Sequence, residues 1–458
     1  MTIQSINPAT GHLIEEYPET PPETVDLRLQ MSHEAQLVWR DVSFQERTKR
    51  LRSLARILRE ETESLARLAA TEMGKPITQA RSEVEKCAWV CDYYAGHAGE
   101  FLRPRTEPTD GGRSYVRYDP LGVVLAIMPW NFPYWQVFRA AVPAVMAGNV
   151  VVLKHASNVC GVSQEIERLF VRAEFPAGIL TSVLLSAQRT EELIGHRHIR
   201  AVTITGSDRA GRAVAAAAGK ELKPSVLELG GSDPFIVLAD ADPLAVAPQA
   251  ARARTQNSGQ SCIAAKRFLV EQPIVSEFES ALVDAMQSLT VGDPLDEQTD
   301  VGPLARGDLR DKLQRQVTQS RERGAKLLCG GRPAEGRGSF YPPTVLTNVQ
   351  PGMAAFDEET FGPVAAVIPV ADRNQAIELA NRSPYGLGAS VWSANADSAE
   401  RLASRSDAGC VVINAIVKSD PNLPFGGVKQ SGYGRELSRE GIREFVNVKS
   451  VWVNREPG

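Results

Sequence analysis

The sequence has 458 residues, of which 43% are hydrophobic and 23% charged, so it is long enough for two or three domains with buried cores. Its formal net charge is −4 and its Lys and Arg residues form no block of five or more, which excludes the electrostatic footprint of a nucleic-acid-binding or membrane-surface protein. The apolar runs are only of strand length and the N-terminus has no leader-like pattern, so we expect no membrane helix, no signal peptide and a cytoplasmic location.

The six cysteines are sparse, and no group of His and Cys residues has the spacing of a zinc site. Cys87 and Cys91 are four residues apart on a predicted helix, which favours packing over metal binding. We therefore expect reduced thiols and no bound metal.

The first hundred residues are predicted to be mainly helical. Residues 22–102 carry apolar side chains at helical spacing, Ser43 begins a capping box, and residues 74–76 break the pattern. Residues 103–120 are polar and rich in turn formers, which predicts an excursion with a hairpin around Asp110 and Gly111.

From residue 121 the pattern alternates between strand and helix. Residues 123–128 and 150–153 are apolar runs typical of strands buried on both faces, and residues 133–146 between them are helix-like. Such a unit is expected to be parallel and right-handed. The alternation continues, which predicts a doubly wound α/β domain, with helices near 158–172 and 210–218 and strands near 182–185 and 201–204.

A second α/β region is predicted beyond about residue 230. Its expected elements are helices near 273–288, 308–323 and 373–381 and strands near 327–329, 364–369 and 411–414. The tail, 445–453, is strand-like and has no obvious hairpin partner, so it could pair with another subunit.

Cys262 is a candidate nucleophile because it ends the Gly259-Gln-Ser-Cys sequence. A flexible polar approach and a helix expected to follow it would give access and lower the thiol pKa. The alternative is a buried cysteine that acts as a small hydrophobic residue.

Two further residues have side chains suited to chemistry at a carbonyl carbon. Glu228 lies between leucines and before two glycines, so burial would raise its pKa towards that of a useful base, although a surface carboxylate at a strand end is the alternative. Asn131 follows the first buried strand and could donate to an oxyanion, which is compatible with a role as a helix cap.

Taken together, these segments resemble the signature blocks of the aldehyde dehydrogenase superfamily, in the family's order and over nearly the whole chain. The blocks are 129–133, 205–207, 228–231, 259–262, 359–363 and 424–429. The resemblance implies an aldehyde dehydrogenase-like α/β fold with a doubly wound nucleotide-binding domain, an α/β catalytic domain and a small β oligomerisation element. The implied bounds are 1–102 with 121–229, then 230–440, and 103–120 with 441–458.

The resemblance also implies the roles of the matching residues. Cys262 would attack an aldehyde, Asn131 would hold the oxyanion of the thiohemiacetal, and Glu228 would activate the water that hydrolyses the thioester. Hydride would pass to NAD or NADP. Lys154 and Glu359 would hold the two riboses, and the cofactor contacts would be Trp130, Lys154, Ser157, Gly206, Ser207, Leu229, Glu359 and Phe361.

Ser157 bears on the choice of cofactor. Many NAD-preferring relatives carry a glutamate at this position, which would repel the 2′-phosphate of NADP, whereas Ser157 is small and neutral. His155 could lie near that phosphate, although an exposed loop histidine is the simpler interpretation. We predict that both NAD and NADP are used.

Arg139 bears on the substrate. It lies among apolar residues on a predicted helix, so it needs a partner, either a structural ion pair or the carboxylate of a substrate. Bacterial succinate-semialdehyde dehydrogenases, the subgroup that the sequence most resembles, carry an arginine at this spacing. They tend to carry a second one where this chain has Gln256, and Lys418 and Ser419 could replace that contact.

The expected function is therefore NAD(P)-dependent oxidation of a short carboxylated aldehyde, with succinate semialdehyde first. The alternatives are a general aliphatic or aromatic aldehyde dehydrogenase, a CoA-acylating enzyme, which Glu228 disfavours, and a catalytically silent homologue. The partners implied are a small aldehyde and further copies of the chain, as a dimer or tetramer, with no nucleic acid and no membrane.

Overall fold

Two large β-sheets, one of six and one of seven strands, carry most of the chain, and a three-stranded sheet joins residues 105–120 to the C-terminal segment. This computed structural model describes residues 2–110 and 112–454. Each large sheet is covered by helices, and separate buried clusters of apolar side chains form around the six-stranded and the seven-stranded sheet.

The N-terminal segment is a hairpin followed by four helices. Its elements are β1 (Thr2–Ile6), β2 (Leu13–Pro18), α1 (Pro22–Trp39), α2 (Phe44–Glu60), α3 (Thr62–Met73) and α4 (Ile77–Phe101). The predicted helical segment is confirmed, and so is the cap at Ser43, whose Oγ accepts from the Glu46 amide at 3.2 Å. Cys87 and Cys91 are buried on α4, as the packing interpretation expected. The β1–β2 hairpin was not predicted.

Strands and helices alternate in the next segment. They are β3 (Arg105–Thr106), β4 (Arg113–Pro120), β5 (Val123–Met128), α5 (Trp135–Met146), β6 (Val150–His155), α6 (Cys160–Arg172), β7 (Leu180–Ser182), α7 (Thr190–Gly195), β8 (Ile199–Thr205), α8 (Asp208–Lys220) and β9 (Ser225–Glu228). The strands β9, β8, β5, β6 and β7 lie in that order and are parallel, which confirms the doubly wound prediction. The residues that follow β5 and β8, and the last residue of β9, therefore meet at one edge of the sheet.

The rest of the chain forms the second sheet, adds one strand to the six-stranded sheet and contributes strands to two smaller sheets. Its elements are β10 (Asp233–Val237), α9 (Pro243–Thr255), β11 (Ala265–Glu271), α10 (Val275–Gln287), α11 (Gly307–Glu322), β12 (Lys326–Cys329), β13 (Thr344–Thr347), α12 (Ala354–Asp357), β14 (Val364–Val370), α13 (Arg373–Asn381), β15 (Tyr385–Gly386), β16 (Gly388–Trp392), α14 (Ala396–Ala403), β17 (Cys410–Ile413), β18 (Val428–Lys429), β19 (Gly432–Tyr433), α15 (Ser438–Arg443) and β20 (Val446–Val453). The seven-stranded sheet has the order β12-β13-β14-β11-β10-β16-β17, and its only antiparallel pair is β12–β13.

The C-terminal strand has a partner within its own chain, which corrects the expectation that it lacks one. β20 pairs antiparallel with β4, from Val446 opposite Pro120 to Val453 opposite Arg113. β3 pairs with the other edge of β4, so the predicted hairpin has both its strands, whereas Gly111 in its turn lies outside the described residues. β20 is the outer strand of this small sheet in the described part of the chain.

None of the helices in residues 2–110 and 112–454 combines the length and the apolar character needed to cross a membrane.

Candidate active site

Cys262 lies where two cavities meet. It follows a 3-10 turn, Gln256–Gly259, and precedes β11, which begins at Ala265. The expected helix after Cys262 is therefore wrong, because the chain enters the buried second sheet instead. A cavity of about 850 Å³ lies on one side of Cys262 and a cavity of about 540 Å³ on the other, and the residue lines both.

The turn that carries Cys262 is held by buried cations. The ammonium of Lys266 donates to the carbonyls of Ser261, Cys262 and Ala264 at 3.1, 2.8 and 3.2 Å. Arg254 donates to the carbonyl of Gly259 at 2.6 Å. Gly259 has φ +74°, and a Cβ there would lie 2.3 Å from the carbonyl carbon of Gly362, so only glycine fits. The sulfur is thus placed by a rigid turn.

The thiol itself is strongly desolvated. Burial raises the pKa of Cys262 to about 12, although the positive charges of Arg139 and Lys266 act in the opposite direction. The expected lowering of the pKa is absent because no helix N-terminus follows the sulfur. Cys262 is therefore protonated at neutral pH in this conformation, and its activation needs a proton acceptor.

Asn131 is buried and bridges two loops. Its side-chain amide donates to the carbonyl of Gln260 at 2.9 Å, and its own carbonyl accepts from the Asn257 amide at 2.6 Å. A carboxamide has two N–H donors, so one remains for an oxyanion. Asn131 and Cys262 both line the smaller cavity, which is the placement that the oxyanion hypothesis requires.

The loop that carries Asn131 is fixed at both ends. Glu83 on α4 accepts from the amides of Tyr134 and Trp135 at 2.8 and 2.9 Å. His155 is buried, and its ring contacts the carbonyls of Met128 and Pro133 at 3.2 and 2.8 Å. His155 is therefore neither an exposed loop residue nor a contact for a phosphate. Burial lowers the pKa of His155 to about 4. It is a neutral support for the loop.

Glu228 ends β9 in a fully enclosed position, with 2% of its surface exposed. Burial raises the pKa of Glu228 well above its usual range, and the neighbouring Glu436 adds to this, whereas Arg139 opposes it. Among the described residues, no hydrogen-bond donor reaches Glu228 Oε1. Glu228 lines neither cavity, and its burial favours the protonated form of the carboxyl.

Arg139 is engaged by a partner that the sequence did not reveal. Its guanidinium forms an ion pair with the buried Glu436 and lies 4.7 Å from the ring centre of Phe425. It also donates to Thr205 Oγ1 at 3.4 Å. The structural ion pair, one of the two interpretations of Arg139, accounts for its burial. Glu436 lies about 300 residues away in sequence, and only its acidic side chain near the Phe425 block hinted at it.

The smaller cavity gathers most of the residues expected to contact the cofactor. Those that line it are Trp130, Gly206, Ser207, Leu229, Glu359 and Phe361. The rings of Trp130 and Phe361 are perpendicular, with centres 5.8 Å apart. Ser207 caps α8 by accepting from the Ala210 amide at 3.3 Å, so a helix N-terminus faces the cavity, as anion binding requires. These features fit a dinucleotide.

Two of the expected cofactor residues lie outside that cavity lining. Lys154 is buried on β6, and burial lowers its pKa. Ser157 is exposed just beyond the same strand. Lys154 is the last but one residue of β6 and Ser157 lies two residues beyond its end; β6 pairs parallel with β5.

The larger cavity gathers the residues expected to contact the substrate. Arg139, Gln256, Lys418 and Ser419 all line it, together with Cys262. Sequence reasoning missed Lys86, which lines it from α4, because one lysine on a long helix carries no signal of its own. Within residues 2–110 and 112–454, no cluster of three His, Cys, Asp or Glu side chains is placed to hold a metal ion.

A half-buried cysteine that lines two cavities, on a doubly wound α/β fold, fits an oxidoreductase that acts through a thiol. The chain belongs to the aldehyde dehydrogenase family, whose model matches residues 1–451.

Relatives within the family are similar over their whole length. The chain is 47% identical to a probable succinate-semialdehyde dehydrogenase [NADP(+)] of Synechocystis sp., over 99% of this chain and 100% of that protein. It is 46% identical to a succinate semialdehyde dehydrogenase [NAD(P)+] of Escherichia coli, over 98% of each. A crystal structure of succinic semialdehyde dehydrogenase from Streptococcus pyogenes in complex with NADP+ has a TM-score of 0.96 at 36% identity and covers 99% of this chain and 100% of that chain.

Arg139→Ala is expected to lower the free energy of unfolding by about 3–5 kcal/mol, because it leaves Glu436 buried without its counter-charge. Urea denaturation measures this change. Arg56→Ala, which breaks the exposed pair with Glu60, is the control and should cost less than about 1 kcal/mol. Unchanged stability, with a higher KM for carboxylated aldehydes alone, would instead assign Arg139 to the substrate.

Proposed function

We propose that the protein oxidises succinate semialdehyde to succinate with NAD+ or NADP+. The observation that carries the proposal is the position of Cys262 between a cavity that fits a dinucleotide and a cavity lined by several cationic side chains. The names of the full-length relatives support the same substrate and cofactors.

In this proposal the thiol of Cys262 first loses its proton to a water molecule. The thiolate then adds to the aldehyde carbon, and Asn131 stabilises the resulting oxyanion with its free N–H. The residues that line the smaller cavity would hold a dinucleotide, which would supply the oxidant as an acceptor of hydride. Glu228, once deprotonated, takes a proton from the water that cleaves the thioester. Because its pKa is raised, this last step should become faster as the pH increases towards that pKa.

The substrate class is tested by kcat/KM for succinate semialdehyde and butanal. A charge-assisted contact to the carboxylate should favour succinate semialdehyde by at least about tenfold. Equal values would identify a general aldehyde dehydrogenase. Added CoA should yield no acyl-CoA, and its appearance would identify an acylating enzyme.

Glu228→Gln tests hydrolysis by water. The variant should release a burst of NAD(P)H close to one equivalent per active site, followed by turnover about 10²- to 10⁴-fold slower, because the thioester accumulates. Rapid-mixing absorbance at 340 nm, the reduced-nicotinamide band, records both phases. Cys262→Ala, the matched control, should give no burst, and a burst from it would exclude Cys262 as the nucleophile.

Dual cofactor use is tested at Ser157. We expect kcat/KM for NAD+ and NADP+ to differ by less than about 10³, which corresponds to about 4 kcal/mol. Ser157→Glu should lower the value for NADP+ by about tenfold or more through repulsion of the 2′-phosphate, while Ser157→Ala changes it little. Equal losses for both cofactors in Ser157→Glu would place the 2′-phosphate elsewhere.

We further propose the domain division 1–102 with 121–229, 230–440, and 103–120 with 441–458, although β19, within 230–440, pairs with β9 of the six-stranded sheet. A homo-oligomer, dimer or tetramer, is supported by the unpaired outer edge of β20 in the described residues, where a second copy could add a strand. A cytoplasmic location is part of the same proposal.

A further inference from the structure

The larger cavity contains one cation that the proposed reaction does not yet use. Lys86 on α4 lines the same cavity as Cys262 and is half-buried. Its ammonium donates to Ser419 Oγ at 2.8 Å and lies 4.4 Å from the ring centre of Trp135. Within the described parts of the chain, no carboxylate comes close enough to form an ion pair with it.

The other cations of this cavity differ from Lys86. Arg139 is already neutralised by Glu436. Arg252 and Lys418 are exposed to solvent, where pairing with an anion contributes little. Lys86 is desolvated and uncompensated, so an incoming carboxylate would gain most from pairing with it.

Ser419 completes the arrangement. It is buried, and its hydroxyl oxygen accepts from both Lys86 Nζ and Trp135 Nε1, the latter at 3.1 Å. Because the oxygen is occupied by two donors, the hydroxyl hydrogen is left to donate elsewhere. An ammonium and a hydroxyl hydrogen from two separate segments therefore converge in the cavity, and both suit a carboxylate.

We propose that Lys86, with the hydroxyl of Ser419, binds the carboxylate of the aldehyde substrate and so determines specificity, an inference that rests on the proposed function. Trp135 holds both groups in place: its ring contacts the ammonium and its N–H contacts the hydroxyl. Lys86 is a specificity residue and takes no part in the chemistry at Cys262.

The protonation of Lys86 gives the proposal an independent readout. Burial lowers the pKa of Lys86 to about 8, and the nearby Arg139 contributes to this. The groups that face it are Glu83 and Cys87 on its own helix, Arg139 on α5, and Asp420 on the C-terminal segment. Above about pH 8 the ammonium loses its proton, so the free enzyme should lose its preference for carboxylated aldehydes.

The test compares kcat/KM for succinate semialdehyde with that for its neutral methyl ester. Lys86→Met should lower the ratio about tenfold to hundredfold and leave the ester unaffected, since only the charge-assisted contact is lost. Lys86→Arg should retain more of the ratio, and Lys418→Met should reduce it less than Lys86→Met does. Lys49→Met, an exposed lysine on α2 outside both cavities, is the control for the substitution itself.

The wild-type protein provides the second measurement, which does not depend on the folding of a variant. Its ratio should fall as the pH rises from 7 to 9.5, and this fall should be absent in Lys86→Met. A ratio that is independent of pH, or equal losses for both substrates in Lys86→Met, would overturn the role of Lys86. A wild-type ratio near one at pH 7 would instead overturn the proposed substrate.

Discussion

The clamp that Lys266 places on the turn around Cys262 is the interaction on which the site depends. One buried ammonium donates to three carbonyls of this turn, of which that of Ser261 also accepts from the Ala264 amide at 3.2 Å. Because Lys266 is the second residue of β11, the turn inherits the rigidity of a strand at the centre of the second sheet. The sulfur is thereby held at the boundary between the two cavities.

Desolvation sets the resting state of the chemistry. Burial raises the pKa of the Cys262 thiol and of the Glu228 carboxyl; for Glu228 the nearby Glu436 adds to this rise and Arg139 opposes it. The thiolate is the nucleophilic form of a cysteine, so this burial disfavours the reactive form of Cys262.

The cations of the larger cavity are divided between support and recognition. A buried arginine that is paired with a carboxylate contributes to architecture, whereas a half-buried lysine without a counter-ion is available to a ligand. Arg139 can be singled out from the sequence because its neighbours along the chain are apolar. Lys86 cannot, because its surroundings are formed by Trp135 and Ser419, which come from other parts of the chain.

The sequence by itself determined the doubly wound fold and the family, and it singled out Cys262, Glu228 and Asn131 as candidates, because buried strands and glycine-flanked turns leave patterns in consecutive residues. It did not determine the strand after Cys262, the partner of β20 or the burial of His155. Only the tertiary structure decided which charges are neutralised, as for Arg139, and how far each acid is desolvated. Those properties depend on groups that are hundreds of residues apart in the sequence. Local sequence patterns do not show which distant residues come into contact.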